Sequence, residues 1–197
     1  MTTLSGIISR SLRMLGVKGS GETATADEAN DGLDAVQAVL YNMLVARAVL
    51  TGVEIEDEYT AVENVRIFNR AATLENISMP ETVTDAVTGQ PRAPANGAIV
   101  EIAGSTHQAY IFVSHFGAWK QLQGLTLLTA NPLGPAHDND LAALTAVYLA
   151  PEFGVQPSAV LVGMAQAAKT SLRQRFRQPI AAVTDPLINA PWLRTNV

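Results

Sequence analysis

Apolar side chains recur every three or four residues at the start of the chain, which is the spacing of one face of an α-helix. Gly16 follows the last of them and suits the left-handed residue that ends many helices. The pattern therefore predicts an amphipathic helix over residues 3–15. Its apolar face consists of Leu4, Ile7, Ile8, Leu12 and Leu15.

A second, longer helix is predicted to begin near Ala26. Thr25 and Glu28 have the spacing of a capping box, in which each side chain binds the backbone N–H group of the other residue. One apolar stripe continues from there towards Thr51 and Gly52. It contains Ala29, Leu33, Val36, Leu40 and Leu44.

Between Val53 and Leu133 the apolar period shortens to two, which indicates β-strands. The candidate strands are residues 65–68, 98–102, 109–113 and 118–122. The pair Asn96-Gly97 suits a tight turn directly before the second of these strands. We interpret this part of the chain as a β-rich insertion.

Two further helices follow the insertion. Asp138 can cap the third helix, which Pro151 limits and whose apolar positions are Leu141, Leu144, Val147 and Tyr148. Pro157 suits the first turn of the fourth helix, and Pro179 ends that helix. Its apolar side is predicted to contain Val160, Leu161, Met164, Ala168, Leu172 and Phe176.

Together these elements predict a mainly α fold. Residues 1–52 and 138–178 each supply one helix pair, and antiparallel pairing of the two pairs gives a four-helix bundle that buries the apolar stripes. Residues 53–137 form the β-rich insertion between the pairs. Residues 179–197 form an extended C-terminal tail, because prolines punctuate them.

Composition and charge exclude several functional classes for this chain of 197 residues. It contains no cysteine, so disulfide frameworks and thiol nucleophiles are excluded. The uncharged stretches 121–137 and 153–168 are each shorter than about 18 residues, and we expect no membrane span and no signal peptide. Thirteen basic and 18 acidic residues give a net charge of −5, which disfavours tight nonspecific binding to DNA.

Residues with catalytic or ligand-binding chemistry do not form a recognised motif in a suitable context. The stretch 19–24 matches a glycine-rich dinucleotide pattern but follows a helix, so an inter-helix linker is the favoured interpretation. The three histidines lack the spacing of a helical metal pair. We therefore predict no catalytic residue, no metal and no cofactor.

Basic residues cluster on the fourth helix, and large apolar residues cluster in the tail. Lys169, Arg173, Arg175 and Arg177 suit either a docking strip for phosphate or carboxylate, or compensation of the helix dipole. The tail carries Leu187, Ile188, Trp192, Leu193 and Arg194. These side chains need another surface, which belongs either to the same subunit or to a neighbour or partner.

Several stretches resemble the head-to-tail adaptor proteins of tailed bacteriophages, which are also called connector or head-completion proteins. In the first helix pair they are residues 12–17 (LRMLGV), 21–28 (GETATADE) and 40–44 (LYNML). In the second pair, residues 149–155 (LAPEFGV) are similar to the turn of this family, and a helix over residues 157–177 follows them.

The resemblance implies a structural virion protein rather than an enzyme. Such adaptors form a ring, usually of twelve copies, beneath the portal protein at the head-tail junction, after synthesis in the host cytoplasm. The ring extends the channel for double-stranded DNA, which passes without sequence recognition, and it receives the tail or a tail-completion protein. The basic cluster and the tail residues are then the candidate interface with the portal or a neighbouring subunit.

Two other functions stay open at this point. One is a phage lytic or nucleotide-processing enzyme that uses carboxylates of the insertion, such as Glu54, Glu75 or Glu101. The other is a small helical DNA-binding protein that uses the strip at residues 169–177, for which salt-sensitive duplex binding is expected.

Overall fold

The computed structural model describes residues 2–48, 50–54, 59–60, 63–68, 77–85, 88–103 and 107–176. The α-helices are α1 (Leu4–Leu15), α2 (Ala26–Leu40), α3 (Asp138–Leu149) and α4 (Ala159–Arg175). A π-helical turn, Tyr41–Val45, continues α2, and a 3₁₀ turn, Pro135–His137, precedes α3. The strands are β1 (Thr51–Glu54), β2 (Tyr59–Thr60), β3 (Val65–Phe68), β4 (Ile77–Ser78), β5 (Val83–Thr84), β6 (Pro91–Arg92), β7 (Ile99–Ala103), β8 (Gln108–Val113) and β9 (Ala118–Gln121).

The first helix ends at the predicted glycine, and the second begins at the predicted cap. Thr3 caps α1 through its side chain, and Gly16 ends the helix with a left-handed φ of 77°. Thr25 and Glu28 form the capping box that starts α2, which confirms that prediction. The two helices approach closely at Gly32, where an added Cβ would lie 2.3 Å from Cγ2 of Ile8.

The central sheet has five strands in the order β1-β3-β7-β8-β9. β1, β3 and β7 are parallel, and β8 and β9 follow antiparallel to their neighbours. Val65 pairs with Val100, and Ile99 pairs with Ile111. The predicted strands 65–68, 98–102, 109–113 and 118–122 are confirmed within one or two residues.

Both faces of this sheet are buried in its middle strands. On one face, Ile99, Ala109, Ile111 and Val113 share a single core with residues of all four helices. On the other face is a second apolar cluster, against which Met79 and Trp119 pack. Its buried members are Val65, Ile67, Val100, Ile102 and Tyr110.

The prediction of a mainly α fold, a four-helix bundle with an insertion, is therefore wrong. Helices and a mixed sheet form one α+β structure, in which the helices cover one face of the sheet. The physical reason lies in β7 and β8, whose side chains are apolar on both faces and require cover on both sides. The sheet takes the place that the second layer of a bundle would occupy.

Three helix boundaries also differ from the predictions. The second helical segment ends at Val45, and Thr51 already begins β1. His137 occupies the N-cap of α3, while Asp138 lies inside the first turn and accepts a hydrogen bond from Asn131 at 2.9 Å. Ser158 caps α4, so Pro157 lies before the helix and not in its first turn. The predicted tail, residues 179–197, lies outside the described residues.

Candidate docking groove

The π-helical turn after α2 changes the direction of the side chains that follow. In this turn the N–H group of Ala46 donates to the carbonyl oxygen of Tyr41 at 2.9 Å, a bond that spans five residues. Such turns are frequent at functional sites. Here the turn brings Tyr41 to the sheet, while Asn42 and Met43 contribute to a groove beside α4.

This groove arises because α4 packs mainly against α3. α4 also touches the π-helical turn, but a space of about 650 Å³ separates it from the end of α2. We call this space the α4 groove. α3 supplies Leu144, Val147 and Tyr148, and the turn after it supplies Pro151. α2 and its π-helical turn supply Val39, Asn42 and Met43, and α4 supplies Val162, Ala165, Gln166 and Lys169.

The α4 groove is apolar with a polar rim. Among its lining residues, only Asn42, Gln166 and Lys169 carry amide or charged groups, and all three are solvent-exposed or half-buried. Tyr148, which is 46% exposed, adds an aromatic ring and a hydroxyl group. A concave apolar surface with a few polar groups at its edge is the usual form of a binding site.

A second apolar surface lies on the outer face of α4. Four exposed residues with the i, i+3, i+4, i+7 spacing form this outer face: Val160, Gly163, Met164 and Ala167. Val160 is 74% exposed. The prediction that Val160 and Met164 lie on the buried side of this helix is wrong, because the structure buries Leu161, Ala165, Ala168 and Leu172 there.

The described basic residues of α4 have different surroundings. Lys169 lies at the rim of the groove. Arg173 is half-buried, and its Nε atom is buried without a hydrogen-bond partner among the described residues. Arg175 lines a separate hollow of about 180 Å³ together with His115 and His137. Arg173 and Arg175 also lie in the last turn, where positive charge stabilises the helix dipole.

The end of α4 is held against the turn that precedes β7. The side chain of Asn96 donates from Nδ2 to the carbonyl oxygen of Arg175 at 2.7 Å and accepts from the N–H group of Ser114 at 2.9 Å. Gly97 has a φ of +88°, and an added Cβ would lie 2.7 Å from the carbonyl oxygen of Phe176. The chain therefore leaves α4 at a fixed point beside the sheet.

The remaining site residues proposed from sequence lie beyond this point. Arg177, Leu187, Ile188, Trp192, Leu193 and Arg194 are outside the described residues. Of the described basic residues of α4, Lys169 and Arg173 lie one helical turn apart, while Arg175 lines the separate hollow. The structure adds two surfaces that the sequence pattern did not predict, the α4 groove and the outer face of α4.

Glu101, one of the carboxylates considered for an enzyme, is buried on β7 with 1% exposure. Its Oε1 atom accepts a hydrogen bond from Tyr41 at 3.0 Å and lies 2.8 Å from Nε2 of His107, while Oε2 accepts from Nε of Arg66. Neither the α4 groove nor the smaller hollow is lined by Glu101. This cluster therefore connects the π-helical turn to the sheet.

The same cluster alters the chemistry of Tyr41. Burial, and then the hydrogen bond and negative charge of Glu101, raise the pKa of the Tyr41 hydroxyl above its ordinary value. A phenolate beside a carboxylate is unfavourable, so Tyr41 stays a hydrogen-bond donor in neutral solution. Only the protonated hydroxyl of Tyr41 can donate the hydrogen bond to Glu101 that connects the helix to the sheet.

The other candidates for chemistry are dispersed. Glu54 is exposed on β1, and Glu75 lies outside the described residues. Residues 19–24 connect α1 to α2, and the N–H group of Gly19 binds the side chain of Glu22 at 2.8 Å. Over the described ranges, no group of three His, Asp or Glu side chains is arranged to hold a metal ion.

Comparison with known proteins gives no match to a protein-family model and no match among curated proteins. In the part of the chain that the structure describes, no helix has both the length and the apolar character needed to cross a membrane.

Proposed function

We propose that this chain is a structural subunit of a phage head-to-tail adaptor ring, which lies beneath the portal, extends the DNA channel and receives the tail. The observation that carries the proposal is the apolar surface that α4 leaves open to water, on its outer face and in the groove beside it. Contiguous exposed apolar surface on a soluble domain marks an interaction site.

The position of these surfaces supports a ring. The outer face of α4 and the α4 groove are different surfaces of one subunit, and each can contact an unlike surface of a neighbouring copy. Contacts between unlike surfaces of identical subunits are heterologous. They close into a ring when a whole number of equal rotations between subunits makes up a full turn. A ring of twelve copies requires such a contact.

The proposed partners follow from the same surfaces. The tail residues Trp192 and Leu193 and the basic residues of α4 bind the portal or a neighbouring subunit, with the cations opposite acidic groups. Trp and Arg are the residue types that most often dominate such interfaces. A tail or tail-completion protein binds the other end of the ring, in the neck of the virion.

The charge distribution supports a channel through which DNA slides. The chain has a net charge of −5, and Arg175 lines a hollow separate from the groove at whose rim Lys169 lies. Double-stranded DNA carries one negative charge per about 1.7 Å of axis, so a negatively charged subunit disfavours tight binding. The same observation argues against the DNA-binding alternative.

Assembly on a portal tests this proposal. The full chain is mixed with DNA-filled, tail-less capsids that carry the portal protein encoded beside it, and the capsids are purified and imaged by electron microscopy. We expect a ring of this chain at the portal vertex and no ring on capsids that lack the portal. Capsids that bind none of the chain at saturating concentration would contradict the proposed function.

A further inference from the structure

We propose that residues 185–189 of an adjacent copy of this chain fill the α4 groove. This inference rests on the proposed function, because it names the segment that joins neighbouring subunits of the ring. The segment has the sequence Asp185-Pro186-Leu187-Ile188-Asn189 and lies outside the described residues.

The chemistry of the groove matches this segment. The apolar groove accommodates Leu187 and Ile188, and Pro186 favours an extended backbone, a form that aromatic-lined grooves bind. Tyr148 supplies the aromatic ring. The amides of Asn42 and Gln166 at the rim are suited to the backbone N–H and C=O groups that an extended segment leaves unpaired.

The single cation in the groove fixes the direction of the segment. Lys169 lies at the end of the groove nearest the C-terminus of α4, and Asp185 is the only acid between Glu152 and Val197. Pairing Lys169 with Asp185 places Leu187 and Ile188 alongside Gln166 and Val162. The segment then runs antiparallel to α4.

The lengths of groove and segment agree. The α4 wall from Val162 to Lys169 spans seven residues, or about 10 Å at the helical rise per residue. An extended segment from Asp185 to Asn189 spans four residues, or about 12 Å in the polyproline II conformation. Trp192 and Leu193 then extend beyond the groove and are available to the portal.

An adjacent copy is the favoured source because of where the chain leaves the body. Seven residues, or about 10 Å, separate Lys169 from Phe176 along the axis of α4, and the end of that helix is held against Asn96 and Gly97. A segment that enters its own groove must reverse direction after this point. A segment that enters the groove of a neighbour provides the heterologous contact that a ring requires.

Cysteine cross-linking tests the inference cleanly, because the chain has no cysteine of its own. Gln166→Cys and Asn189→Cys are made in separate full-length proteins, which are mixed, assembled on portal-bearing capsids and treated with a short bis-maleimide. We expect a cross-linked dimer that contains one copy of each variant. The matched control replaces Gln166→Cys by Gln174→Cys, which lies on the same exposed helix outside the groove.

Docking should raise the cross-linking rate at position 166 about tenfold over that at position 174, because it raises the local concentration of the segment. A ring without a cross-link between 166 and 189 overturns the inference but leaves the proposed function standing. A double variant with Gln166→Cys and Asn189→Cys in one chain detects the alternative, in which the segment fills the groove of its own subunit. A cross-link confined within single chains also overturns the inference, whereas failure to form any ring counts against the proposed function and the inference together.

Charge reversal provides a second test in the same assembly. Lys169→Glu should lower the cross-linking rate by about two- to fivefold, which corresponds to the loss of a solvent-exposed ion pair. Adding Asp185→Lys to the partner protein should restore the rate. A charge-reversed pair that cross-links as slowly as the single Lys169→Glu variant would contradict the proposed direction of the segment.

Discussion

Tyr41 donates a hydrogen bond of 3.0 Å to Glu101, although the two residues lie 60 positions apart in the chain. Tyr41 begins the π-helical turn after α2, and Glu101 is buried in the middle of β7. The bond therefore connects the helical layer to the sheet directly. Arg66 and His107 also contact this carboxylate, so the side chain of Glu101 binds residues from three separate parts of the chain.

Glu101→Gln should destabilise the fold without abolishing it. Gln preserves the shape but removes the charge that Arg66 and Tyr41 bind, and hydrogen bonds to charged groups contribute about 2 kcal/mol each. We expect the free energy of unfolding in urea to fall by about 2 kcal/mol. Glu54→Gln, on an exposed position of β1, is the control and should change it by less than about 0.5 kcal/mol. Equal stabilities for the two variants would show that the cluster contributes little.

Alkaline solution should destabilise the fold through the buried Tyr110 and the half-buried Tyr41. Burial raises the pKa of Tyr110 to about 12, and the pKa of Tyr41 is also raised. The unfolded chain loses these protons near about pH 10, whereas the folded chain retains them, so the stability that they contribute is complete below that pH and is lost as the pH rises towards about 12.

Urea denaturation measured at increasing alkaline pH tests this dependence. Tyr110→Phe removes one of the two titrating hydroxyl groups, so its stability should fall less steeply with pH than that of the unchanged protein. An identical slope in both proteins would mean that Tyr110 ionises equally in the folded and unfolded states.

Two glycines on helices should respond to alanine in opposite directions. An added Cβ at Gly32 would overlap Ile8 of α1, so Gly32→Ala should destabilise the fold by about 2 kcal/mol. Gly163 has no atom within 4 Å of an added Cβ, so Gly163→Ala should stabilise α4 by about 0.5–1 kcal/mol. Thermal unfolding of both variants measures the difference. A loss of stability in Gly163→Ala would reveal a contact at this exposed site.

The outer face of α4 should be required for assembly but not for folding. Val160 and Met164 are exposed, so the double variant Val160→Lys, Met164→Lys should change the free energy of unfolding by less than about 0.5 kcal/mol per site. It should nevertheless form no ring on portal-bearing capsids, since two charges would enter an apolar contact. Gln174→Lys adds one charge to the same helix and is expected to assemble normally. Normal assembly of the double variant would remove this face from the interface.

Local signals in the sequence predicted the early helices and the main strands. Thr25 and Glu28 specify the start of α2 through contacts within four residues, and Gly16 ends α1 in the same local way. The turn at Asn96 and Gly97 was also found directly before β7. Each of these features depends on neighbours in the chain, so each is visible in the order of residues.

The arrangement of layers could not be predicted in this way. Val100 and Ile111 lie on opposite faces of the sheet, and both are buried, so the alternation that marks a one-sided strand is missing. The α4 groove depends on the distance between α4 and the end of α2, which periodicity does not specify. Val160 and Met164 look like core residues in sequence because exposed and buried apolar residues have the same chemistry.

The position of α1 in the core has a consequence for biosynthesis. α1 packs against α3 as well as α2, and Thr3 pairs with Ala130, so roughly 120 residues must be made before α3 and Ala130 can contact α1. At ordinary translation rates that takes roughly 6 to 25 seconds. During this interval only α2 covers the apolar face of α1. Yield in a foreign host will therefore depend on chaperones that shield nascent chains.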